Sequence, residues 1–369
     1  MSVAYVLEQN ASIRREGQRL LIKKEGAVLH TLHLFKLEQL VLFGNVLLTP
    51  AAVSALLRHG VDTVFMTGNG RYRGRLQGLY SKNITLRQEQ FRKMDDEHFC
   101  LNTARAIVQG KIANLRANLL RLNRSREGLG LEDQILGLKR MGEKAAEASD
   151  IDAVRGFEGR SAVIYFKGFS RGFLADGIQF ERRVRRPPTD PVNALLSLGY
   201  TLLFNTVMAA VSMVGFDPYL GCLHTVEYGR PSLALDLMEE WRPIIVDTLV
   251  LSVFNLKAVT LSDFVAGEIG EEELEDEDSS DLEGRGGDDK DANEPSPMLP
   301  VKLTDSGFRK FIAQFERKMA QKVRFHLTGR QFSYRDCIRE QVRHFARYIR
   351  GEDEEYRTMT LRFYRKGDS

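Results

Sequence analysis

Cysteine is scarce: Cys100, Cys222 and Cys337 stand far apart in 369 residues. An odd number at such spacing supports neither a disulfide framework nor a CxxC metal site, so a reducing cytoplasm is the expected setting. No basic region precedes a long apolar core in the opening Met-Ser-Val-Ala-Tyr-Val-Leu-Glu-Gln, so no export signal is expected. Nor does any apolar run approach the roughly 18 residues of a membrane helix. The chain therefore reads as soluble and unprocessed. Its hydrophobic fraction of 43% is ordinary for a globular protein and excludes a disordered or fibrous reading for most of the length. That length allows two domains with cores of their own.

The formal charge of +3 hides a partition. Residues 268–294 carry 14 acidic and 2 basic side chains, a net of −12, which leaves +15 on the rest of the chain. A basic body beside a separate acidic segment fits a polyanion partner, because lysine and arginine gain affinity by displacing phosphate counterions. The same segment has no periodicity and is dominated by Glu, Asp, Gly and Ser, so 267–297 reads as a disordered acidic insertion. Such a tract either occupies a basic groove in place of nucleic acid or simply solubilises.

Up to about Tyr80 the pattern is that of strands: Val3–Leu7, Arg19–Lys23, Ala27–Leu32, Gln39–Leu48 and Val61–Met66, with turn residues between. Thr49 and Pro50 suit the N-cap and first turn of a helix. The sequence Thr67-Gly-Asn-Gly-Arg-Tyr-Arg-Gly74 lacks the spacing and the Lys-Ser/Thr of a phosphate-binding loop, and reads as a hairpin tip. Residues 1–85 thus form a β-rich domain, and 86–369 a helical one. In the latter, apolar residues recur at three- and four-residue steps through Phe99–Arg126, about Leu131–Ala148, Ala194–Val214 and Val246–Val259, and from Thr304 to the end. Lys111, Asn114, Asn118 and Arg121 make a polar stripe on the first of these, which fits a solvated face better than a binding one.

Chemistry concentrates in Cys222-Leu-His-Thr-Val-Glu-Tyr-Gly-Arg-Pro-Ser-Leu-Ala-Leu-Asp-Leu-Met-Glu-Glu-Trp-Arg-Pro243. Carboxylates on an apolar run are costly to bury unless paired or bound to a cation. Asp236 and Glu239, three residues apart, share a helical face with His224 just ahead. Imidazole with carboxylates suits Mn²⁺ or Mg²⁺ better than structural zinc. A core histidine with surface carboxylates is the alternative. Glu158, flanked by Gly156 and Gly159, reads as a charge near a helix start.

Four motifs in order now resemble the Cas-one family, the integrase subunit of CRISPR adaptation. They are Arg155-Gly-Phe-Glu-Gly-Arg-Ser-Ala-Val-Ile-Tyr-Phe166, Arg185-Arg-Pro-Pro-Thr-Asp-Pro-Val-Asn193, Gly215-Phe-Asp-Pro-Tyr-Leu-Gly-Cys-Leu-His224, and Ser232-Leu-Ala-Leu-Asp-Leu-Met-Glu-Glu-Trp-Arg-Pro243. The resemblance covers essentially the whole chain. It implies an α+β multidomain fold, with a small N-terminal β-sandwich-like dimerisation domain followed by a larger all-α catalytic domain. It also implies Glu158, His224 and Glu239 as catalytic metal ligands for Mg²⁺ or Mn²⁺, with Asp236 matching a second acidic position near the metal in some members. The implied activity is insertion of protospacer DNA into a CRISPR array, by 3′-hydroxyl attack on a repeat-boundary phosphodiester. Implied partners are protospacer and repeat DNA, a second copy in a homodimer, a Cas-two dimer and a Cas-four-type nuclease. Candidate DNA contacts are Arg73, Arg75, Lys111, Arg182, Arg183, Arg185, Arg186 and Arg242. A non-catalytic DNA-binding scaffold with structural carboxylates is the rival expectation. The acidic tract is longer than the family leads one to expect.

Overall fold

Residues in the left-handed region punctuate the N-terminal part of the chain, with Asn10 at φ 63°, Gly17 at 59°, Gly26 at 84° and Gly44 at 67°. Glycine adopts such φ without steric cost. Between these points run β1 (Ser2–Val6), β2 (Ala11–Glu16), β3 (Arg19–Lys24), β4 (Ala27–His33), β5 (Leu37–Phe43) and β6 (Val46–Leu48), followed by α1 (Pro50–His59), β7 (Asp62–Met66) and β8 (Tyr72–Leu76). This computed structural model describes residues 2–78, 83–184, 188–225, 227–267 and 299–361. The chain separates into two units, Met1–Lys82 and Asn83–Ser369.

The first unit holds two four-stranded sheets, in the orders β1-β5-β7-β8 and β4-β3-β2-β6. Strands β1, β5 and β7 run parallel, whereas β7 and β8 form an antiparallel hairpin whose tip is the glycine-bearing loop. Val6, Leu40 and Leu42 of one sheet, Ile13, Leu20 and Ile22 of the other, and Ala52 and Leu56 of α1 share one core. The stretch Gln39–Leu48, which reads as one strand, is two. The chain leaves the first sheet at Gly44 and enters the second at Val46.

In the second unit the long helices are α2 (Ile84–Met94), α3 (Glu97–Ser125), α4 (Glu132–Ala146), α5 (Ile151–Phe169) and α6 (Pro191–Val214). Then come the short α7 (Ser232–Met238), a π-helical turn Arg242–Asp247, α8 (Thr248–Asn255), α9 (Asp305–Ala320) and α10 (Tyr334–Ile349). Aspartates cap three of these: Asp96 accepts from His98 N, Asp150 from Ala153 N and Asp190 from Asn193 N. Each supplies an acceptor for main-chain N–H groups that a helix start leaves unserved. Helix α6 is the centre of the unit, and along most of its length it is buried. Contrary to the sequence reading, it is long and apolar enough to cross a membrane, but protein surrounds it here. Gly199 lets it meet the π-helical turn closely, since a Cβ there would lie 2.6 Å from Val246 Cγ1.

The unit is not all-α. Strands β9 (Phe264–Ala266) and β10 (Val301–Leu303) pair antiparallel, as do β11 (Lys322–Arg324) and β12 (Gln331–Ser333). The second hairpin breaks the expected helical run after Thr304, and past Ile349 the chain to Leu361 is not helical. The first hairpin clasps the two ends of the acidic tract, whose residues 268–297 lie outside the described residues.

Candidate functional site

Helix α5 begins at Ile151, so Glu158 sits two turns inside it rather than at its start. Asp150 supplies the missed start signal, as a capping aspartate that precedes the glycine motif. From inside α5, Glu158 reaches α3: Lys111 Nζ bonds both Glu158 Oε1 and Glu239 Oε2. Glu239 follows α7, where Pro243 has no N–H to continue the helical ladder. The backbone then switches to π-helical spacing, a form often found at functional sites.

His224 joins the cluster from the loop before α7. Gly221 lets that loop press onto the helix start, because a Cβ would lie 2.5 Å from Asp236 Oδ2 and 2.8 Å from Leu233 N. Asp236 is then fully engaged. Its Oδ2 accepts from Cys222 N at 2.6 Å and Leu223 N at 2.9 Å, and its Oδ1 from His224 N at 3.0 Å and His224 Nδ1 at 2.6 Å. A carboxylate only accepts, so Nδ1 donates to Asp236 and Nε2 is the ring nitrogen left to face Glu239. That nitrogen lies 4.0 Å from Glu239 Oε1. Asp236 therefore orients the histidine from behind, as a carboxylate commonly does for a metal-binding imidazole, and has no oxygen left over for an ion.

The charges balance inside the fold. Burial alone would raise the Glu239 carboxyl, but Arg242, Lys111 and His224 together outweigh it and hold it down at about 2. Burial would likewise lower the Lys111 ammonium, and Glu158 and Glu239 hold it above its ordinary value instead. Arg242 Nε stands 3.1 Å from Glu239 Oε1, and its guanidinium lies 4.7 Å from the centre of the Tyr200 ring. Beneath them Tyr200 Oη donates to Asp247 Oδ1 at 2.6 Å. Burial pushes that carboxyl up to about 6 against hydrogen bonds from Tyr200 and Tyr165.

Glu240 faces away from this cluster. Tyr356 Oη donates to its Oε1 at 2.8 Å and Met359 N to its Oε2, and burial pushes the carboxyl up to about 8. The polar stripe on α3 is buried rather than solvated. Asn114 Nδ2 donates to Glu240 O at 3.0 Å and Met359 O at 2.8 Å, and Asn118 Nδ2 to Pro243 O at 2.9 Å. Arg121 alone of the four stays exposed. Two asparagines in the middle of a helix were a readable signal, since they favour helix interiors poorly unless given partners. Asp247 and Tyr200 escaped the sequence reading. An acidic residue within the apolar run Ile244–Val253 was the available hint for Asp247.

Of the eight candidate DNA contacts, Arg73 and Arg182 are exposed. Arg185 and Arg186 lie outside the described residues. The other four are committed elsewhere: Lys111 and Arg242 to the carboxylates, Arg75 to Asp62 at 2.9 Å, and Arg183 to Asn193 Oδ1 and Ser197 Oγ, both at 3.0 Å. Among the described residues no group of three or more His, Cys, Asp and Glu side chains forms a ready cage for a metal. The donor chemistry nonetheless fits a hard divalent cation, with two carboxylates meeting at Lys111 and an oriented imidazole 4.0 Å from one of them.

A profile of the family described as CRISPR associated protein Cas1 matches residues 4–279. The chain belongs to the Cas1 family. A CRISPR-associated endonuclease Cas1 of Thermus thermophilus is 34% identical over 364 residues, covering 98% of both chains. A Cas4/Cas1 fusion of Geobacter sulfurreducens is 34% identical over 97% of this chain and 60% of its own length. Among solved structures, a casposase bound to integration product superimposes with TM-score 0.79 at 21% identity, covering 97% of this chain and 93% of that one. A Cas6-RT-Cas1–Cas2 complex gives TM-score 0.80 at 22% identity, over 98% of this chain and 36% of that one. The Cas1 fold thus accounts for both units, and the family's named members are endonucleases.

Proposed function

We propose that this chain is a metal-dependent DNA integrase and endonuclease, which inserts protospacer DNA into a CRISPR array by transesterification. The carrying observation is that Lys111 draws Glu158 and Glu239 together from separate segments of a Cas1 family chain, with His224 Nε2 4.0 Å from Glu239 Oε1. These three would hold Mg²⁺ or Mn²⁺, which when bound supplies a Lewis acid for a phosphodiester under attack. The chain's own part is positional. Asp236 fixes the tautomer and direction of His224, and Arg242 holds one oxygen of Glu239. The resulting low value of Glu239 keeps it an anion at any working pH. Arg182 and Arg73, exposed, would bind DNA backbone without reading sequence.

The reaction exchanges one phosphodiester for another as a DNA 3′-hydroxyl attacks, so no nucleotide is consumed. The solved Cas1–Cas2 assembly and the Cas4 fusion relative support a Cas2 dimer and a Cas4-type nuclease as partners. A homodimer formed through the β-rich unit, working in the cytoplasm, completes the reading.

The test is His224→Ala in a strand-joining assay with Mn²⁺ or Mg²⁺ and branched DNA. Loss of joining by about a hundredfold or more, with DNA binding retained, is the expected result; undiminished joining would remove the site. If the unaltered protein binds DNA but joins none with either metal, the scaffold reading stands instead, and the missing ready-made cage is the observation that favours it.

A further inference from the structure

We propose that Lys111 is an internal counter-cation of the site, which holds Glu158 and Glu239 together without a divalent ion and must give up at least one of them when such an ion binds. The inference rests on the assignment of Glu158, His224 and Glu239 to a divalent-ion site, and adds a competitor built into the chain. Lys111 Nζ lies between the two carboxylates, one on α5 and one after α7. Side-chain exposure is 11% for Lys111, 19% for Glu158 and 5% for Glu239, so water does little to separate the two negative charges. The two carboxylates face two cations, Lys111 and Arg242, which together hold three of their four oxygens. An ion arriving at the intact cluster would meet cations already seated on the oxygens it needs, and like charges this close in a buried place repel strongly.

One cation must therefore yield, and the structure distinguishes them. Arg242 is stacked on Tyr200 and pairs with Glu239 three residues before it, so its departure would break two contacts at once. Lys111 carries its charge at the end of a flexible four-carbon stem and can swing away while α3 stays in place. Burial of its neighbours Asn114 and Asn118, each bonded to main chain, keeps α3 itself fixed. Displacement of the ammonium frees Glu158 Oε1 and Glu239 Oε2 together, the two oxygens an incoming ion needs.

Divalent-ion affinity should then rise when Lys111 is removed, opposite to the effect expected of a residue that merely supports the site. Mn²⁺ is titrated calorimetrically into the full-length protein without DNA, for the unaltered chain, Lys111→Met, Lys111→Gln and His224→Ala. Melting curves with and without Mn²⁺ accompany each. Both Lys111 variants should bind Mn²⁺ at least about tenfold more tightly, melt lower without the ion, and gain more from it than the unaltered chain. Lys111→Gln can still hydrogen-bond both carboxylates, and it decides the matter if Lys111→Met does not fold. Unaltered or weaker binding in the Lys111 variants, with His224→Ala weakened, refutes the counter-cation role and leaves the metal site standing. If neither the unaltered chain nor either Lys111 variant binds Mn²⁺, the metal-site reading fails and this inference fails with it.

Discussion

Glu240→Gln should flatten the pH dependence of stability at the alkaline side, and the size of the change follows from where the carboxyl lies. Glu240 is 1% exposed, next to Glu239 but turned toward the C-terminal segment. Burial is the largest influence on it and raises the carboxyl from 4.5 to about 8, against hydrogen bonds from Tyr356 and Met359 that favour the anion. Between those two values the folded protein holds a proton that the unfolded chain has lost. Stability from this group is therefore full below about pH 4.5, falls as pH rises, and stops falling above about 8. The slope is about 1.4 kcal/mol per pH unit, so the loss from pH 6 to pH 9 integrates to about 3 kcal/mol. Glutamine imitates the neutral acid and cannot titrate, so this loss should vanish in the variant. Trp241 is the single tryptophan and is 1% exposed, so its fluorescence reports unfolding of this unit. Urea titrations at pH 6, 7, 8 and 9 of both proteins should diverge, with stability relative to the variant falling by about 3 kcal/mol over the range. Parallel curves would show that Glu240 is ionised in the fold and that its burial has been misjudged.

Asp236→Asn keeps the side-chain volume but places an amide against N–H groups that now meet a carboxylate, so His224 loses its anchor. Mn²⁺ affinity by calorimetry should fall about 10- to 100-fold and the melting temperature should drop as buried N–H groups lose their acceptor, and undiminished affinity would show that the imidazole needs no help. Asn118→Ala strands the Pro243 carbonyl inside the protein, and should cost about 1–3 kcal/mol in urea unfolding followed by Trp241; a cost within error would mean that water takes the place of the amide.

Much of the fold was legible because it rests on local rules. Caps at Thr49, Asp96 and Asp190 start helices where aspartate, threonine and proline chemistry says they should. The run from Leu101 to Leu122 announced a long helix by period alone. What failed depends on contacts between distant segments. Asp236 and Glu239 do share a face, as their spacing implies, but the imidazole lies between them, with Asp236 at Nδ1 and Glu239 toward Nε2. The one is thereby a support and the other a ligand candidate, a division that spacing cannot make. The arginines tell the same story. Composition marks them as basic, yet Arg75 and Arg183 are taken up by Asp62, Asn193 and Ser197, and nothing within a few residues of either announces those partners.

The buried face of α3 explains why the site tolerates a π-helical turn beside Glu239. Where helical spacing changes after Met238, main-chain carbonyls lose their usual donors, and a buried carbonyl without a partner is costly. Asn114 serves Glu240 O and Asn118 serves Pro243 O, so the irregular stretch is satisfied from outside. Asn114 Oδ1 also accepts from Leu361 N at 2.8 Å, which draws the C-terminal segment into the same frame. The wider turn places Arg242 over Tyr200 and Asp247 against its hydroxyl, so one tyrosine fixes both. The polar stripe is thus a scaffold for Glu239 and Arg242. Lys111, on the same helix face, has its own main chain held by that scaffold while its side chain pairs with carboxylates alone. Rigidity in the backbone of α3 and freedom at the tip of Lys111 are compatible for this reason, and a charge exchange at the site requires no movement of the helices that build it.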